Sequence, residues 1–240
     1  MRALILAAGF GTRLQPITNK IPKALVEIKG KTFLERAILY LQRNHIEEIL
    51  INTHHFAEQI QNFLKNKKFG IPVRTIFESE ILDTGGAIKN TKYFLQNSDP
   101  FVVYNVDVIT DLNLKPAIDF HKKNNNLATL LVKERPTQRP FIVDANNLIV
   151  GHKNLKLNET RMIKKDFQKS LHDVGFLGIH ILSPNIFNLM PQENVFGATP
   201  FYLDLIEKGQ DINIFDCGDC FWEDVGSLEK IIQEVEKDDI

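Results

Sequence analysis

A glycine-rich segment near the start of the chain carries the residue types that bind phosphate. Residues 6–18 read LAAGFGTRLQPIT and follow a short apolar run directly. Gly9 and Gly11 permit a positive φ and let a ligand approach the backbone closely, and successive N–H groups in such a loop can form a nest for an anion. Arg13 adds a planar guanidinium that suits phosphate, and Lys23 adds a mobile ammonium group. This spacing predicts a phosphate-binding loop with two cations beside it.

Two widespread phosphate-binding loops do not fit this segment. A P-loop requires GxxxxGK followed by Ser or Thr, which the chain lacks. A dinucleotide-binding loop requires a third glycine, where this chain has Leu14, and a helix directly afterwards, which Pro16 and Pro22 disfavour. The segment therefore indicates a different kind of phosphate site.

Asp107 and Asp224 are the carboxylates that we single out as candidate ligands. Asp107 directly follows the apolar run 101–106, and ligand sites of open α/β sheets lie beyond the carboxyl ends of their strands. Asp224 lies between the residues FWE and VG. Taken alone, each also fits an ordinary role, since Asp107 suits a helix cap or a turn and Asp224 suits a turn or an ion pair.

The elements that must position these residues alternate along the first half of the chain. Apolar runs at 3–7, 49–51, 73–77 and 101–104 predict buried strands. Helical spacing predicts helices from a capping box at Thr32 and Glu35 to about Asn44, from 56 to 64, and briefly after Gly86. This alternation predicts a mostly parallel sheet with helices on both faces.

The second half is less regular. We expect a helix over 115–124, strands at 127–132 and 176–182, a hairpin at 144–147, and a final helix from Leu228 to about Lys237, capped by Ser227. Residues 153–170 are polar and lysine-rich without a clear period. They fit either a solvated excursion of the surface or a loop that folds over substrate.

Composition excludes several classes of protein. The chain has 240 residues, of which 43% are hydrophobic and 25% charged, as in an ordinary globular protein. A net charge of −1 supplies no general field for nucleic acid or an anionic membrane. We therefore expect a protein that binds neither. The apolar run 3–8 is short for a signal peptide, no stretch has the length of a membrane span, and two cysteines fit a reducing compartment, so we expect a cytoplasmic protein. Cys217 and Cys220 form an isolated pair without the four ligands of a zinc site, and His54-His55 lacks metal-binding spacing, so we assign neither pair a role.

The longer pattern resembles a known family. LAAGxGTRLxPxT at 6–18 and PKxL at 22–25 are similar to the signature of sugar-1-phosphate nucleotidyltransferases, also called NDP-sugar pyrophosphorylases. GK at 30–31, DTGG at 83–86, NxD at 105–107 and WEDVG at 222–226 extend the resemblance over nearly the whole chain. It implies a three-layer αβα, Rossmann-like nucleotide-diphospho-sugar transferase fold with a mainly parallel mixed sheet. Residues 1–240 would form one domain, binding nucleotide in about 1–110 and sugar phosphate in about 111–240.

The resemblance also implies residue roles. The substrate-binding positions would be Ala8, Gly9, Gly11, Thr12, Arg13, Lys23, Thr84, Gly85, Gly86, Asn105 and Gly175. Arg13 and Lys23 would be the catalytic cations. Asp107 and Asp224 would hold Mg²⁺, which needs only one or two carboxylates when it also binds phosphates. Taken alone, DTGG also fits a turn into a helix.

The implied reaction transfers a nucleotidyl group from a nucleoside triphosphate to a sugar 1-phosphate and releases pyrophosphate. The type that the chain resembles within the family predicts UTP with N-acetylmuramate 1-phosphate. Alternatives are a mannose- or heptose-1-phosphate guanylyltransferase, a cytidylyltransferase for a non-sugar phosphate, and a non-catalytic regulator that binds nucleotide sugars.

The chain departs from the family pattern at two places. Val106 replaces the usual glycine before the first metal aspartate, and the Glu-Lys-Pro element of many sugar pockets is missing. Lys153, Lys164 and Lys165 are candidates for the cation that this element would otherwise supply.

Overall fold

The computed structural model describes residues 1–163, 170–229 and 232, and it contains the alternating strands and helices that the sequence predicts. The strands are β1 (Arg2–Leu6), β2 (Glu27–Ile28), β3 (Lys31–Thr32), β4 (Glu48–Thr53), β5 (Val73–Phe77), β6 (Phe101–Asn105), β7 (Val108–Thr110), β8 (Ala128–Lys133), β9 (Phe141–Val143), β10 (Ile149–Asn154), β11 (Glu159–Met162), β12 (His172–Leu182), β13 (Ile212–Asp216) and β14 (Trp222–Asp224). The α-helices are α1 (Phe33–Arg43), α2 (Ala57–Lys65), α3 (Asp83–Asn90), α4 (Lys92–Leu95), α5 (Lys115–Lys123) and α6 (Ala198–Glu207). Short 3-10 helices cover Thr12–Leu14, Ile17–Asn19, Lys23–Leu25 and Pro184–Asn188.

One large mixed sheet forms the middle layer. β5, β4, β1 and β6 lie side by side and parallel, and β12 then pairs antiparallel with β6. β8 lies beside β12 and pairs parallel with β13. One apolar cluster packs α1, α2 and α5 against one sheet face, and a second packs α3, α4 and α6 against the other. The prediction of a three-layer αβα fold with a mainly parallel mixed sheet is confirmed.

Burial and capping in the structure agree with the elements that the sequence predicts. Ala3, Leu4 and Ile5 of β1 are fully buried, as a strand with helices on both faces requires. The hydroxyl of Thr32 caps α1 by accepting a hydrogen bond from the backbone N–H of Glu35 at 3.0 Å. The hairpin predicted around 144–147 is also present, between β9 and β10.

Residues 153–163 form part of a hairpin at the surface. β10 includes the first two of them, and β11 pairs with β10 in antiparallel register with all four of its residues exposed, as a solvated excursion of the surface would be. Residues 164–169 lie outside the described part of the chain. Most of the predicted final helix does too, although Leu228 and Glu229 are helical.

Two features of the fold set up the functional site. β12 is eleven residues long, and its carboxyl half pairs with β6 and β8 while its amino half pairs with β9. A register shift interrupts its pairing with β8 near Gly178, which has a φ of +75°. A separate two-stranded ribbon joins β7 to β14. The described residues contain no helix with the length and apolar character needed to cross a membrane.

Candidate active site

A cleft of about 290 Å³ opens at the carboxyl ends of β1 and β6. Its lining includes seven of the predicted site residues: Ala8, Gly9, Arg13, Lys23, Thr84, Asn105 and Asp107. These residues come from four segments: the glycine-rich loop, the short 3-10 helix that begins at Lys23, the start of α3 and the end of β6. The parallel sheet brings them together because the carboxyl ends of its strands share one edge.

The two loop glycines have different roles in the geometry. A Cβ on Gly9 would meet no atom within 4 Å, so the space beside this residue is open to a ligand. Gly11 has a φ of +66°, and a Cβ there would lie 2.9 Å from the Thr18 side chain and 3.0 Å from that of Lys23. Its carbonyl accepts a hydrogen bond from the Thr18 hydroxyl at 2.9 Å. Gly11 therefore folds the loop back so that Lys23 reaches the cleft. Neither it nor Thr12 is part of the cleft lining.

The β7–β14 ribbon places the two carboxylates side by side. Asp224 pairs in register with Val108, and the backbone N–H of Val225 donates to the carbonyl of Asp107 at 3.0 Å. A Cβ built on Gly226 would lie 2.7 Å from Asp107 Oδ2 and 2.7 Å from Asp224 Oδ1. Two oxygens that share such a point are separated by at most twice that distance. The structure thus brings together two aspartates that lie more than a hundred residues apart.

The two predicted cations lie against these carboxylates. Lys23 Nζ contacts Asp107 Oδ2 directly, and Arg13 lies 3.8 Å from Asp107 and 3.9 Å from Asp224. The Lys23 side chain is 14% exposed and that of Arg13 is 62% exposed, so Lys23 is held inside the cleft while Arg13 can follow a ligand. Two positive charges therefore face two negative ones within a few ångströms.

This set of donors suits a magnesium ion. Carboxylate oxygens are the ligands that Mg²⁺ prefers, and it is usually held by one or two of them together with substrate phosphates. Asp107 and Asp224 offer oxygens that converge above Gly226, which has no side chain to fill the space. The described residues contain no cluster of three or more His, Cys, Asp or Glu that would bind a metal without such phosphates.

Two residues of the cleft were missed by the sequence reasoning. Asn52 Oδ1 accepts a hydrogen bond from the backbone N–H of Ala7 at 2.7 Å, and its amide donates to Glu78 at 2.9 Å. Burial raises the pKa of Glu78, and the hydrogen bond from Asn52 opposes that rise. Asn52 lies near the end of β4 and Glu78 directly follows β5. Their position at the carboxyl ends of predicted parallel strands could have identified both residues as candidates from the sequence.

The DTGG segment forms the first turn of α3 rather than preceding it. The hydroxyl of Thr84 accepts a hydrogen bond from the backbone N–H of Ala198 at 2.8 Å, which ties α3 to α6. The bare faces of Gly85 and Gly86 turn toward Phe196 and Asn194, and both glycine N–H groups donate to the Phe196 carbonyl. The structure therefore places Thr84 at the cleft and uses the two glycines to pack a neighbouring segment.

Of the remaining predicted substrate-binding positions, Asn105 ends β6 and Gly175 lies on β12. A Cβ on Gly178 would lie 2.7 Å from Asn105 Nδ2, so this glycine makes room for the Asn105 side chain at the cleft. Gly175 lies instead beneath the side chain of Arg135, whose guanidinium stacks 4.2 Å from the ring of Trp222 and donates to the carbonyl of Phe176.

Arg135 was not predicted. Its Nε is buried without a hydrogen-bond partner among the described residues. Burial lowers its pKa, and the charge of Asp224 opposes this. No motif in the sequence points to Arg135, because its surroundings depend on a contact with Trp222.

The structure shows the surroundings of two other residues that the sequence analysis considered, Lys153 and Cys217. Lys153 forms an ion pair with Asp173 at 2.6 Å, so its charge is already balanced, and Lys164 and Lys165 lie outside the described residues. Cys217 is a free thiol whose pKa burial raises to about 12.

Comparison with known proteins agrees with the geometry of the cleft. A sequence model of the family described as "Nucleotidyl transferase" matches residues 2–239. The chain belongs to the nucleotidyl transferase family. The resemblance to sugar-1-phosphate nucleotidyltransferases is thereby confirmed at the level of the family.

Two curated relatives carry names that describe sugar-1-phosphate chemistry. The UTP–glucose-1-phosphate uridylyltransferase of Synechocystis is 29% identical over 98% of this chain, and the mannose-1-phosphate guanyltransferase of Gibberella zeae is 30% identical over 94%. The chain spans about three fifths of the length of each, 62% and 61% respectively.

Similar folds occur among solved structures. HddC from Yersinia pseudotuberculosis is 26% identical, with a TM-score of 0.77 and 98% of each chain covered. A second structure of HddC, complexed with GMP-PN, is 27% identical with a TM-score of 0.75. A glucose-1-phosphate thymidylyltransferase from Bacillus anthracis, described as putative and 18% identical, shares the fold with a TM-score of 0.79.

Proposed function

We propose that this chain transfers a nucleotidyl group from a nucleoside triphosphate to a sugar 1-phosphate, forming an NDP-sugar and pyrophosphate. The observation that carries the proposal is the convergence of Asp107, Asp224, Arg13 and Lys23 on one cleft beside an open glycine loop. The names of the relatives support the same reaction class.

The chemistry requires little from the protein beyond positioning and charge. A phosphate oxygen of the acceptor attacks the α-phosphorus, a new P–O bond forms, and the bond to the bridging oxygen breaks as pyrophosphate leaves. The nucleophile is already an anion, so the reaction needs no general base. The obstacles are repulsion between anions and the charge that develops on the leaving group, and cations in fixed positions reduce both. Lys23 and Arg13 are the cations that the cleft supplies.

Asp107 and Asp224 are proposed to hold Mg²⁺. When bound, this ion would neutralise part of the charge on the substrate phosphates. The two carboxylates carry negative charge at the position where the triphosphate would bind. Lys23 and Arg13 already lie against these carboxylates, so they balance that charge and are within reach of phosphates in the same cleft.

Two combinations of triphosphate and sugar 1-phosphate are candidates for the substrates. The type that the sequence resembles favours UTP with N-acetylmuramate 1-phosphate. The guanyltransferases among the relatives and the GMP-PN complex of HddC favour GTP with mannose or heptose 1-phosphate. The non-catalytic alternative is disfavoured because both carboxylates and both cations are present. Transfer to a non-sugar phosphate would use the same groups, so only substrate tests separate it.

We further propose one cytoplasmic domain, in which about 1–110 bind the nucleotide and about 111–240 the sugar phosphate. This division follows the cleft, because its lining lies within residues 6–107, whereas β12 and Arg135 come from the second part.

A substrate panel tests the proposal. GTP, UTP, CTP, ATP and dTTP would each be combined with several sugar 1-phosphates and with phosphocholine, with pyrophosphate release and the NDP-linked product both measured. We expect release only when a triphosphate and a sugar 1-phosphate are both present, and little with Asp224→Asn. Absence of product with every sugar 1-phosphate, in a protein that binds triphosphate, would contradict the proposal. Selective use of phosphocholine would establish the non-sugar alternative.

A further inference from the structure

A second cavity, of about 460 Å³, lies apart from the cleft, between α6 and the β9–β10–β12 part of the sheet. Its lining includes three basic side chains, Arg139, His152 and Arg161, together with the rings of Phe141 and Phe176. The proposed function assigns nothing to it. Because the chain as a whole has a net charge of −1, a local group of basic residues requires its own explanation.

This cavity and the catalytic cleft open on the same face of the sheet. Phe176 packs with the apolar cluster that contains α3 and α6. Gly178, two residues further along β12, lies against Asn105, which lines the cleft. Phe176 and Gly178 are two residues apart on β12, so the cavity and the cleft lie beside neighbouring positions of one strand.

The charges in the cavity are not equivalent. Arg161 is paired with Asp204 at 2.9 Å and with Glu207 at 2.8 Å, so its charge is balanced. Burial lowers the pKa of His152, and the charges of Arg139 and Arg161 lower it further. Arg139 is exposed and forms no ion pair within the described residues. Arg139 is therefore the cation available to a ligand, although Glu159 also lines the cavity.

The cavity wall also contains apolar groups. Aromatic rings at Phe141 and Phe176 complete a lining that suits a sugar carrying both polar and apolar parts.

We propose that the acceptor is an acidic sugar 1-phosphate, whose second anionic group, a carboxylate, binds Arg139 in this cavity while its phosphate lies in the cleft. Arginine suits this role because its planar fork binds a carboxylate through two parallel hydrogen bonds. The inference rests on the proposed function and names the class of acceptor for it. Neutral hexose phosphates would leave Arg139 without its partner.

Matched acceptors that differ only in the acidic group test the inference. One pair is glucuronate 1-phosphate against glucose 1-phosphate, and the other is N-acetylmuramate 1-phosphate against N-acetylglucosamine 1-phosphate. Each would be assayed with the preferred triphosphate, using the unmodified chain, Arg139→Gln, Arg139→Lys and, as the control for a balanced arginine, Arg161→Gln. We expect a lower KM for the acidic member of at least one pair.

In Arg139→Gln, the KM for that acidic acceptor should rise by about tenfold to a hundredfold, as expected for loss of a charge-assisted contact. The KM for the neutral member should be nearly unchanged in Arg139→Gln. Arg139→Lys should recover part of the loss with the acidic acceptor, and Arg161→Gln should raise its KM less than Arg139→Gln does. Turnover that favours neutral acceptors, or an equal effect of Arg139→Gln on both members, would overturn the inference and leave the transferase intact. Absence of transfer to every acceptor would instead contradict the proposed function.

Discussion

The catalytic cleft and the second cavity handle charge in different ways. In the cleft, Lys23 and Arg13 face Asp107 and Asp224, so positive and negative groups balance before any ligand arrives. In the cavity, Arg139 has no acidic partner among the described residues, whereas the neighbouring Arg161 has two. A balanced site binds a polyanion well only together with a metal ion, whereas an unbalanced one attracts an anion directly.

Under the proposed function, this difference would assign the two substrates to two different sites. The triphosphate would depend on Mg²⁺ and on both aspartates. The acceptor's distal group would depend on a single arginine. Changes to the cleft should therefore affect the rate with every acceptor, while changes to the cavity should affect only the choice of acceptor.

The largest effect is expected from removing a carboxylate charge in the cleft. Asp107→Asn or Asp224→Asn should lower the rate by roughly 10²–10³, as for loss of one main electrostatic stabiliser. The double variant should lose less than the product of the two factors, because both residues act through one ion. Asp119→Asn, in an exposed pair with Lys115, is the control. Single variants that keep full activity at saturating and limiting Mg²⁺ would remove these residues from the metal site.

A smaller effect is expected from the exposed cation. Arg13→Ala should lower turnover by about tenfold to a hundredfold, since a charge-assisted contact with phosphate is lost. Arg13→Lys should recover little, because it lacks the planar fork. Initial rates with varied triphosphate measure both. Unchanged kinetics in a folded Arg13→Ala protein would exclude this residue from triphosphate binding.

A methyl group at Gly226 probes the geometry rather than the charge. In Gly226→Ala the new Cβ would meet Asp107, Asp224 and the Arg13 guanidinium, all ends of flexible side chains that can move aside. We expect about a tenfold loss of rate from this displacement. The melting temperature should change little. A large fall in thermal stability with an unchanged rate would show that Gly226 serves folding instead.

The stability of the folded protein should depend on pH through two buried histidines, His121 and His180. Burial lowers the pKa of His121 to about 4 and that of His180 to about 3. Unfolding exposes both, so the unfolded chain binds more protons below its ordinary pKa of about 6.5. Stability from these groups is complete above that pH and falls as pH drops toward 4, by about 1.4 kcal/mol per histidine for each pH unit. Urea unfolding at pH 7.5 and 5.5 measures it. An equal pH dependence in a His121→Gln, His180→Gln double variant would contradict the assignment.

The sequence predicted the first half well because its signals are local. Strands such as β1 and β6 are continuous apolar runs, which buried parallel strands require, and Thr32 with Glu35 marks the start of α1. The motifs at 105–107 and 222–226 were enough to identify Asp107 and Asp224 as candidate metal ligands. Their convergence depends on a ribbon of two three-residue strands, too short for any periodicity to show.

Other parts of the site arise only from tertiary contacts. Gly85 and Gly86 are among the substrate-binding positions that the resemblance implies. Their bare faces pack against residues 194–196, a contact that the sequence could not predict because it does not show what approaches a glycine. Arg135 gains its environment from Trp222, far away in the chain. The same holds for the cavity around Arg139, whose lining comes from five separate elements and the loop before β9.

The most direct test of the central claim measures the rate of pyrophosphate release against free Mg²⁺. The unmodified chain and Asp224→Asn would be titrated from excess chelator upward, with saturating triphosphate and sugar 1-phosphate. The account predicts negligible release in chelator, a saturable rise with Mg²⁺ in the unmodified chain, and a much lower plateau or weaker Mg²⁺ dependence in Asp224→Asn. Full activity of the unmodified chain in excess chelator would contradict the claim that Asp107 and Asp224 hold a metal ion for nucleotidyl transfer.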